Sequence, residues 1–335
     1  NPSPSAQYSK VLYIIQKREK MNTENPLLKP NEQPFDTVPF EDIKTSDFLP
    51  AINFSLKEAV QNIEKITGNS NPADFSNTIL ALEMSSEKLD KVSTVYFHLF
   101  GSESDKDFQD LASQISQILA NYNNDIMLDK RLFNRVKFVF DQMSPSMKKQ
   151  DKKLTEVWYK EFIRNGATLG DDEKDKLRKL DAELSTLSPQ FQNNNLNATN
   201  SYELWLSEKD LDGLPEIAIN AAKVDAIGKG KPDDWLITLQ MPSFQPFITF
   251  SSNRELRKEI MSAFSRKCNG DDFDNTSIVK KIVKLKHKRA RLLGYDNFAD
   301  YILEKRMAEN QNNIMSFLND LYESCFELAK SDLEQ

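Results

Sequence analysis

Glycine and cysteine are scarce in this sequence of 335 residues, which contains 9 Gly and 2 Cys. A low glycine content disfavours a turn-rich β architecture, and the abundance of Lys, Glu and Leu favours long helices. The two cysteines, Cys268 and Cys325, are too few for a disulfide framework. We therefore expect free thiols in a cytoplasmic protein.

Long apolar runs and an excess of positive charge are also missing. No stretch approaches the roughly 18 apolar residues of a membrane span, and the apolar patch at 11–15 is too short for a signal-peptide core. The net charge of −7 argues against general binding to nucleic acid, because phosphate contacts need a basic surface. We predict neither a membrane nor a nucleic acid among the partners.

Histidine is nearly absent, since His98 and His287 are the only two in the sequence. A zinc-protease helix of the His-Glu-x-x-His type needs two histidines four positions apart, so that one metal ion contacts both. That spacing is absent, and a Ser or Cys nucleophile would also need a nearby histidine. We therefore assign no catalytic, cofactor-binding or metal-ligating residue in this chain. We expect His98 to be a packed or hydrogen-bonded core histidine rather than a lone ligand.

Other charged or glycine-containing patterns have both a functional and a structural interpretation. The basic run around His287 fits nucleic acid or the steering of peptide carboxylates, but we prefer a solvated helix face. We interpret the paired acids as loop or cap residues, and the Arg-Asn-Gly-Ala sequence at 164–167 as a helix C-cap rather than a ligand site. The glycines at 228 and 230 lack the spacing of a phosphate loop. The basic run comprises Lys280, Lys281, Lys284, Lys286, Lys288, Arg289 and Arg291, and the acid pairs are 171–172, 233–234 and 271–272.

Proline content and helical periodicity divide the chain into five segments. We interpret residues 1–21 as a tag, upstream sequence or a disordered segment, and we expect 22–50 to form an extended proline-rich arm. A helical domain follows over 51–200, in which we expect the Asn/Gln cluster at 192–197 to be a helix end or a loop. A small insertion at 201–252 carries strands near 202–206 and 235–239. Helices return in 253–335, at 253–266, 276–293, 296–307 and 311–330.

Several stretches, taken in order, resemble the thimet-oligopeptidase-like family of zinc metallopeptidases, and within it the oligopeptidase A and peptidyl-dipeptidase branch. Each stretch alone is a weak signal, and their order and spacing make the combination specific. The stretches are 25–28, 34–40, 48–52, 77–83, 132–137, 162–167, 242–247, 253–257, 290–295, 298–301 and 306–308.

The resemblance implies a mainly α fold, in which this chain is the helical N-terminal lobe of a two-lobed zinc oligopeptidase with a small β insertion near 200–250. Family members hold one zinc ion through a His-Glu-x-x-His helix and a further Glu, all in the second half of the protein. Residues 253–335 would then start the peptidase helical domain and stop before the zinc motif. Zinc would be present only in the full-length parent.

The same resemblance implies a peptidase whose partners are short peptides and the missing C-terminal catalytic lobe. We expect this chain alone to be inactive, and we expect an exposed apolar surface where that lobe would dock. Between oligopeptidase action and the removal of C-terminal dipeptides we prefer the latter. The alternative is a non-catalytic helical module that binds peptides or a partner.

Overall fold

The computed structural model describes residues 24–29, 33–102 and 105–334. The predicted segment 1–21 lies outside these residues, as do 22, 23 and 30–32 of the predicted arm. Helices dominate the described chain, and no helix there is long and apolar enough to cross a bilayer. The α-helices are α1 Thr45–Thr67, α2 Ala81–Glu83, α3 Glu87–Ser102, α4 Lys106–Met127, α5 Lys130–Asp141, α6 Lys149–Arg164, α7 Asp171–Ser201, α8 Glu216–Gly228, α9 Met241–Phe250, α10 Arg254–Ser265, α11 Thr276–Leu292, α12 Phe298–Leu303 and α13 Gln311–Glu334. A π-helix, Phe75–Leu80, precedes α2.

The polypeptide before α1 contains two short 3₁₀ turns, Pro34–Asp36 and Phe40–Asp42. The expectation of an extended arm up to residue 50 is wrong for its last six positions, because α1 begins at Thr45 and contains Pro50. Proline removes one backbone hydrogen bond there. The helix buries an apolar face that includes Phe48, Ala51 and Ile52, and this tertiary packing offsets the missing bond.

The chain forms two compact units, one running to Thr186 and resuming at Leu285, the other spanning Leu187–Lys284. The core of the first unit is centred on three aromatic rings. The Phe48 ring contacts Tyr96 edge-on at 5.3 Å between centroids and Phe108 at 5.2 Å. The buried Tyr96 hydroxyl donates to the Phe108 carbonyl at 2.6 Å. This bond satisfies a polar group inside an apolar core, and burial raises the pKa of Tyr96.

The second unit contains a two-stranded antiparallel sheet of β1 Leu204–Leu206 and β2 Trp235–Ile237, with Leu204 opposite Ile237. Its side chains pack with Phe244 and Phe247 of α9 in one apolar cluster. The prediction of a mainly α fold with a small β element near 200–250 is confirmed. The division of the chain at 200 and 252 stays a prediction.

Two helices of the second unit, α8 and α9, were not predicted from the sequence. Helix α8 has apolar residues on almost every side, so its sequence lacks the one-sided apolar stripe that marks a surface helix. Helix α9 contains Pro242 and Pro246, which are typical helix breakers, but Pro242 occupies the first turn, where proline is tolerated.

The Asn/Gln cluster at 192–197 is neither a helix end nor a loop, because α7 continues through it to Ser201.

Candidate functional site

Helix α6 ends in a Schellman motif that turns the backbone back onto the helix. The Ala167 N–H donates to the Phe162 carbonyl at 2.9 Å, and the Gly166 N–H donates to the Ile163 carbonyl at 3.1 Å. Gly166 has a φ of 93°, a conformation that favours glycine. The predicted C-cap at 164–167 is therefore confirmed.

Helix α11 ends in the same way, although its sequence is different. Gly294 has a φ of 88°, and the Tyr295 N–H donates to the Ala290 carbonyl at 3.0 Å. The turn places Tyr295 beside the end of α6. Two stretches that carry the family resemblance, 162–167 and 290–295, thus meet in the first unit.

Between these helix ends lies a group of polar side chains that we call the arginine cluster: Arg164, Arg289, Tyr295, Tyr301 and Glu304. The Arg164 side chain is only 6% exposed and forms an ion pair with Glu304. Its guanidinium also donates to the Tyr301 carbonyl at 2.7 Å and to the Tyr295 hydroxyl at 3.3 Å. The guanidinium carbon lies 4.6 Å from the centre of the Tyr301 ring, within cation–π range.

The second arginine of the cluster joins α11 to α7 and to the end of α6. Arg289 Nε donates to Asp181 Oδ1 at 2.7 Å, and both side chains are largely buried. Arg289 Nη2 donates to Asn165 Oδ1 at 3.1 Å, and the Tyr301 hydroxyl donates to the same oxygen at 3.3 Å. The cluster therefore ties four helices together through hydrogen bonds to charged groups, which are stronger than neutral ones.

Tyr295 and Arg289 keep their ordinary charge states at neutral pH. Burial raises the pKa of Tyr295 to about 12, and its hydrogen bond to Glu304 acts in the same direction. Burial of Arg289 lowers its pKa, but the Asp181 carboxylate outweighs this and leaves the pKa raised. Neither residue becomes a base near neutral pH, so we assign the cluster a structural role.

Both histidines are exposed to solvent. The prediction of a core histidine at His98 is wrong, because the buried face of α3 is formed by Val92, Tyr96 and Phe100, and His98 lies on the other side. The prediction of a solvated face around His287 holds for most of the basic run. Arg289 departs from it, since it is largely buried and bonded in the arginine cluster. Lys286 is also half-buried and lies over the Phe298 ring.

The paired acids and the short glycine sequence occupy turns and helix ends. Asp171 and Asp172 lie in the first turn of α7, where the helix dipole favours negative charge. Asp271 accepts the N–H groups of Cys268 and Phe273, which closes a local turn. Gly230 has a φ of 78° and follows the end of α8. These positions agree with the structural interpretation of each pattern.

Zinc fits no set of residues in the described part of the chain. Over 24–29, 33–102 and 105–334, no group of three or more His, Cys, Asp or Glu side chains is arranged to hold a metal ion. Protein zinc sites take three or four such ligands. We therefore derive no chemical step through a metal bound to these residues.

An open cavity of about 580 Å³ lies beside α3 in the first unit. Its lining combines apolar groups, such as Val92, with the side chains of Lys29, Asp42 and Lys91. A volume of this order suits a small ligand.

Comparisons with known proteins identify peptidases as relatives of this chain. Residues 247–335 match the model of Peptidase family M3. The dipeptidyl carboxypeptidase of Escherichia coli K12 is 30% identical over 316 residues, which is 93% of this chain and 46% of that protein. That of Salmonella typhimurium is 30% identical over 300 residues, 89% of this chain and 44% of that protein. Oligopeptidase A of E. coli K12 is 28% identical over 318 residues, 93% of this chain and 46% of that protein.

The chain is therefore similar to peptidases of family M3. It spans somewhat less than half the length of the relatives it matches. The arginine cluster could not be found by searching the sequence for catalytic residue types. Its only signal was that Arg164, Tyr295 and Tyr301 lie within stretches that carry the family resemblance.

Proposed function

We propose that this chain is the N-terminal part of a zinc-dependent metallopeptidase that cleaves short peptides in a deep channel. The observation that carries the proposal is the similarity to peptidases over 93% of the chain. Residues that bind zinc would lie in the part of the relatives that this chain does not span. The chain contributes one wall of the channel, which admits short peptides, excludes folded proteins and closes against the catalytic lobe.

The chain by itself would not hydrolyse peptides. A zinc-bound water needs ligands that hold the metal and a base that activates the water. The two histidines of the chain are not four positions apart, and both side chains face solvent. The proposed protein is cytoplasmic, which suits the free thiols of Cys268 and Cys325.

A quenched fluorescent peptide tests this proposal. The 335-residue chain should give no hydrolysis above the buffer rate. The polypeptide translated through the open reading frame beyond Gln335 should encode a His-Glu-x-x-His sequence and hydrolyse the peptide. A chelator should abolish that activity, and added zinc should restore it. Activity of the longer polypeptide that survives the chelator would contradict the proposal.

Removal of C-terminal dipeptides is the preferred activity, since two relatives at 30% identity are named dipeptidyl carboxypeptidases. An enzyme of that kind must recognise the free C-terminal carboxylate of its substrate. A peptide with an amidated C-terminus should therefore be cleaved far more slowly than the same peptide with a free carboxylate. Equal rates would instead favour internal cleavage, as the name oligopeptidase A implies for the other relative.

The cavity beside α3 favours a second candidate function, a non-catalytic module that binds peptides. Lys91 and Asp42 line this cavity and could contact the two termini of a peptide. Fluorescence anisotropy of a labelled pentapeptide would measure such binding to the 335-residue chain. Lys91→Ala should weaken it, and Lys57→Ala, on an exposed part of α1, serves as the control. A stop codon directly after Gln335 would favour this alternative.

A further inference from the structure

Helix α13 exposes an entire apolar side to solvent. None of its described residues is buried, although it extends over 24 residues. Six large apolar side chains, which we call the α13 face, are 44% to 67% exposed: Phe317, Leu318, Leu321, Tyr322, Phe326 and Leu328. Large aromatic side chains each bring about 150–250 Å² of surface, so the three aromatic residues alone expose roughly 300 Å². Contiguous apolar patches of several hundred Å² are often interaction surfaces.

Apolar and charged residues lie on opposite sides of α13. At about 100° per residue, the α13 face spans an arc of roughly 180°. Asp320, Glu323 and Glu327 lie on the opposite side. The edges of the apolar arc carry neutral polar residues, such as Asn319 and Ser324. Over 317–328 no charged side chain lies within the arc, so docking on the α13 face buries apolar groups.

The width of the arc distinguishes a dimer through α13 from packing of α13 against several helices. A two-stranded coiled coil between two copies of α13 would use a narrow stripe of two positions in seven. A dimer of that kind would leave Phe317 or Phe326, at the two margins of the arc, exposed to water. An arc of about 180° is wider than the stripe of roughly 100° that faces one core surface, and it indicates packing against more than one neighbour.

We infer that the α13 face is the docking surface for two or more apolar helices from the part of the polypeptide that the relatives have and this chain does not span. This inference rests on the proposed function. The match to Peptidase family M3 includes the whole of α13. The aligned chain accounts for 46% of the E. coli dipeptidyl carboxypeptidase, so a protein of the relatives' length has ample sequence to cover it.

Cys325 provides a direct measure of whether the α13 face is covered. This exposed cysteine lies within the apolar arc, and Cys268 in the second unit is buried. In the 335-residue chain, a maleimide should modify Cys325 at nearly the rate seen in urea. In the longer polypeptide, translated through the reading frame beyond Gln335, the rate at Cys325 should fall at least tenfold. Cys268, read by mass spectrometry of the same sample, should react slowly in both.

A pair of substitutions compares a charge placed within the α13 face with the same charge placed at its margin. Leu321→Asp should expose Cys325 again in the longer polypeptide and reduce its peptidase activity at least tenfold, because a carboxylate would be buried among apolar groups. Asn319→Asp places the same charge at the edge of the arc and should change neither measurement by more than about twofold. Circular dichroism of both variants of the 335-residue chain should match the wild type, since α13 is already exposed there.

The outcomes distinguish this inference from the proposed function. Chelator-sensitive hydrolysis by a longer polypeptide in which Cys325 still reacts freely would overturn the docking inference and leave the peptidase proposal intact. Protection of Cys325 without any hydrolysis would support docking and contradict the peptidase proposal. Stable dimers of the 335-residue chain that protect Cys325 would identify a second copy as the occupant and overturn the inference. A frame that closes at Gln335 would overturn both.

Discussion

Replacing Arg164 by methionine tests the arginine cluster. Arg164→Met keeps most of the side-chain volume but removes the charge and every hydrogen bond of the guanidinium. The substitution leaves the Tyr301 carbonyl without its 2.7 Å donor and leaves Glu304 without its ionic partner. The contact between the guanidinium and the Tyr301 ring is lost as well.

The expected loss of stability follows from the burial of the two charges. Removing one partner from a fully buried ion pair costs about 3–5 kcal/mol. Glu304 is 48% exposed, so water can solvate the carboxylate that remains. We therefore expect a smaller loss of about 2–3 kcal/mol in the free energy of unfolding.

Urea unfolding followed by circular dichroism measures this loss, with Arg178→Met as the matched control. Arg178 pairs with Asp125 at the surface, where both side chains are substantially exposed. Loss of such a pair costs about 1 kcal/mol or less. The double variant Arg164→Met/Glu304→Met should recover part of the stability, because neither charge is then left unpaired.

Two results would refute this account of the cluster. One is an Arg164→Met protein within about 0.5 kcal/mol of the wild type, which is the range of ordinary surface substitutions. The other is an equal loss for Arg164→Met and Arg178→Met. Either result would mean that burial and hydrogen bonding at Arg164 contribute little to stability.

Two further predictions concern single backbone and capping positions. Gly213→Ala should destabilise the protein by about 3 kcal/mol or more in the same urea assay, because a Cβ at this φ of 83° overlaps the Phe250 carbonyl. The control is Gly230→Ala, whose Cβ meets no atom within 4 Å and which should cost about 1–2 kcal/mol. Equal losses for the two variants would contradict the steric argument. Partial burial acts to raise the pKa of Asp129, but hydrogen bonds from Arg131 and neighbouring N–H groups hold this pKa below its usual value. The stabilising effect of the ionised carboxylate is therefore present above the unfolded pKa and is lost as the pH falls through the folded pKa. The stability advantage of the wild type over Asp129→Asn should shrink below about pH 4, and a constant difference would contradict this.

Much of the helical fold could be predicted from the sequence because apolar periodicity records which side of a helix is buried. Buried positions such as Leu132 and Val136 in α5, and Leu177 in α7, follow this pattern. The pattern failed where the environment differs from that of a surface helix. Helix α8 lacks one-sided periodicity, and Pro50 and Pro246 are tolerated inside helices whose packing offsets a lost hydrogen bond.

The arginine cluster could be predicted only in part. The Schellman turn at Gly166 has a local sequence signal, since a glycine follows the last helical residues. The partners of Arg164 do not, because Tyr295 and Glu304 come from residues more than a hundred positions later and only the fold brings them together. His98 shows the opposite error, in which a histidine flanked by apolar residues was assigned to the core although the helical angle places it outside.

Metal analysis of the purified chain tests the central claim most directly. We predict that the 335-residue chain, purified without chelator and dialysed against zinc-free buffer, retains far less than one zinc ion per chain and does not cleave a short peptide. A stoichiometric, tightly held zinc ion whose removal abolishes peptide hydrolysis by these 335 residues would contradict the account.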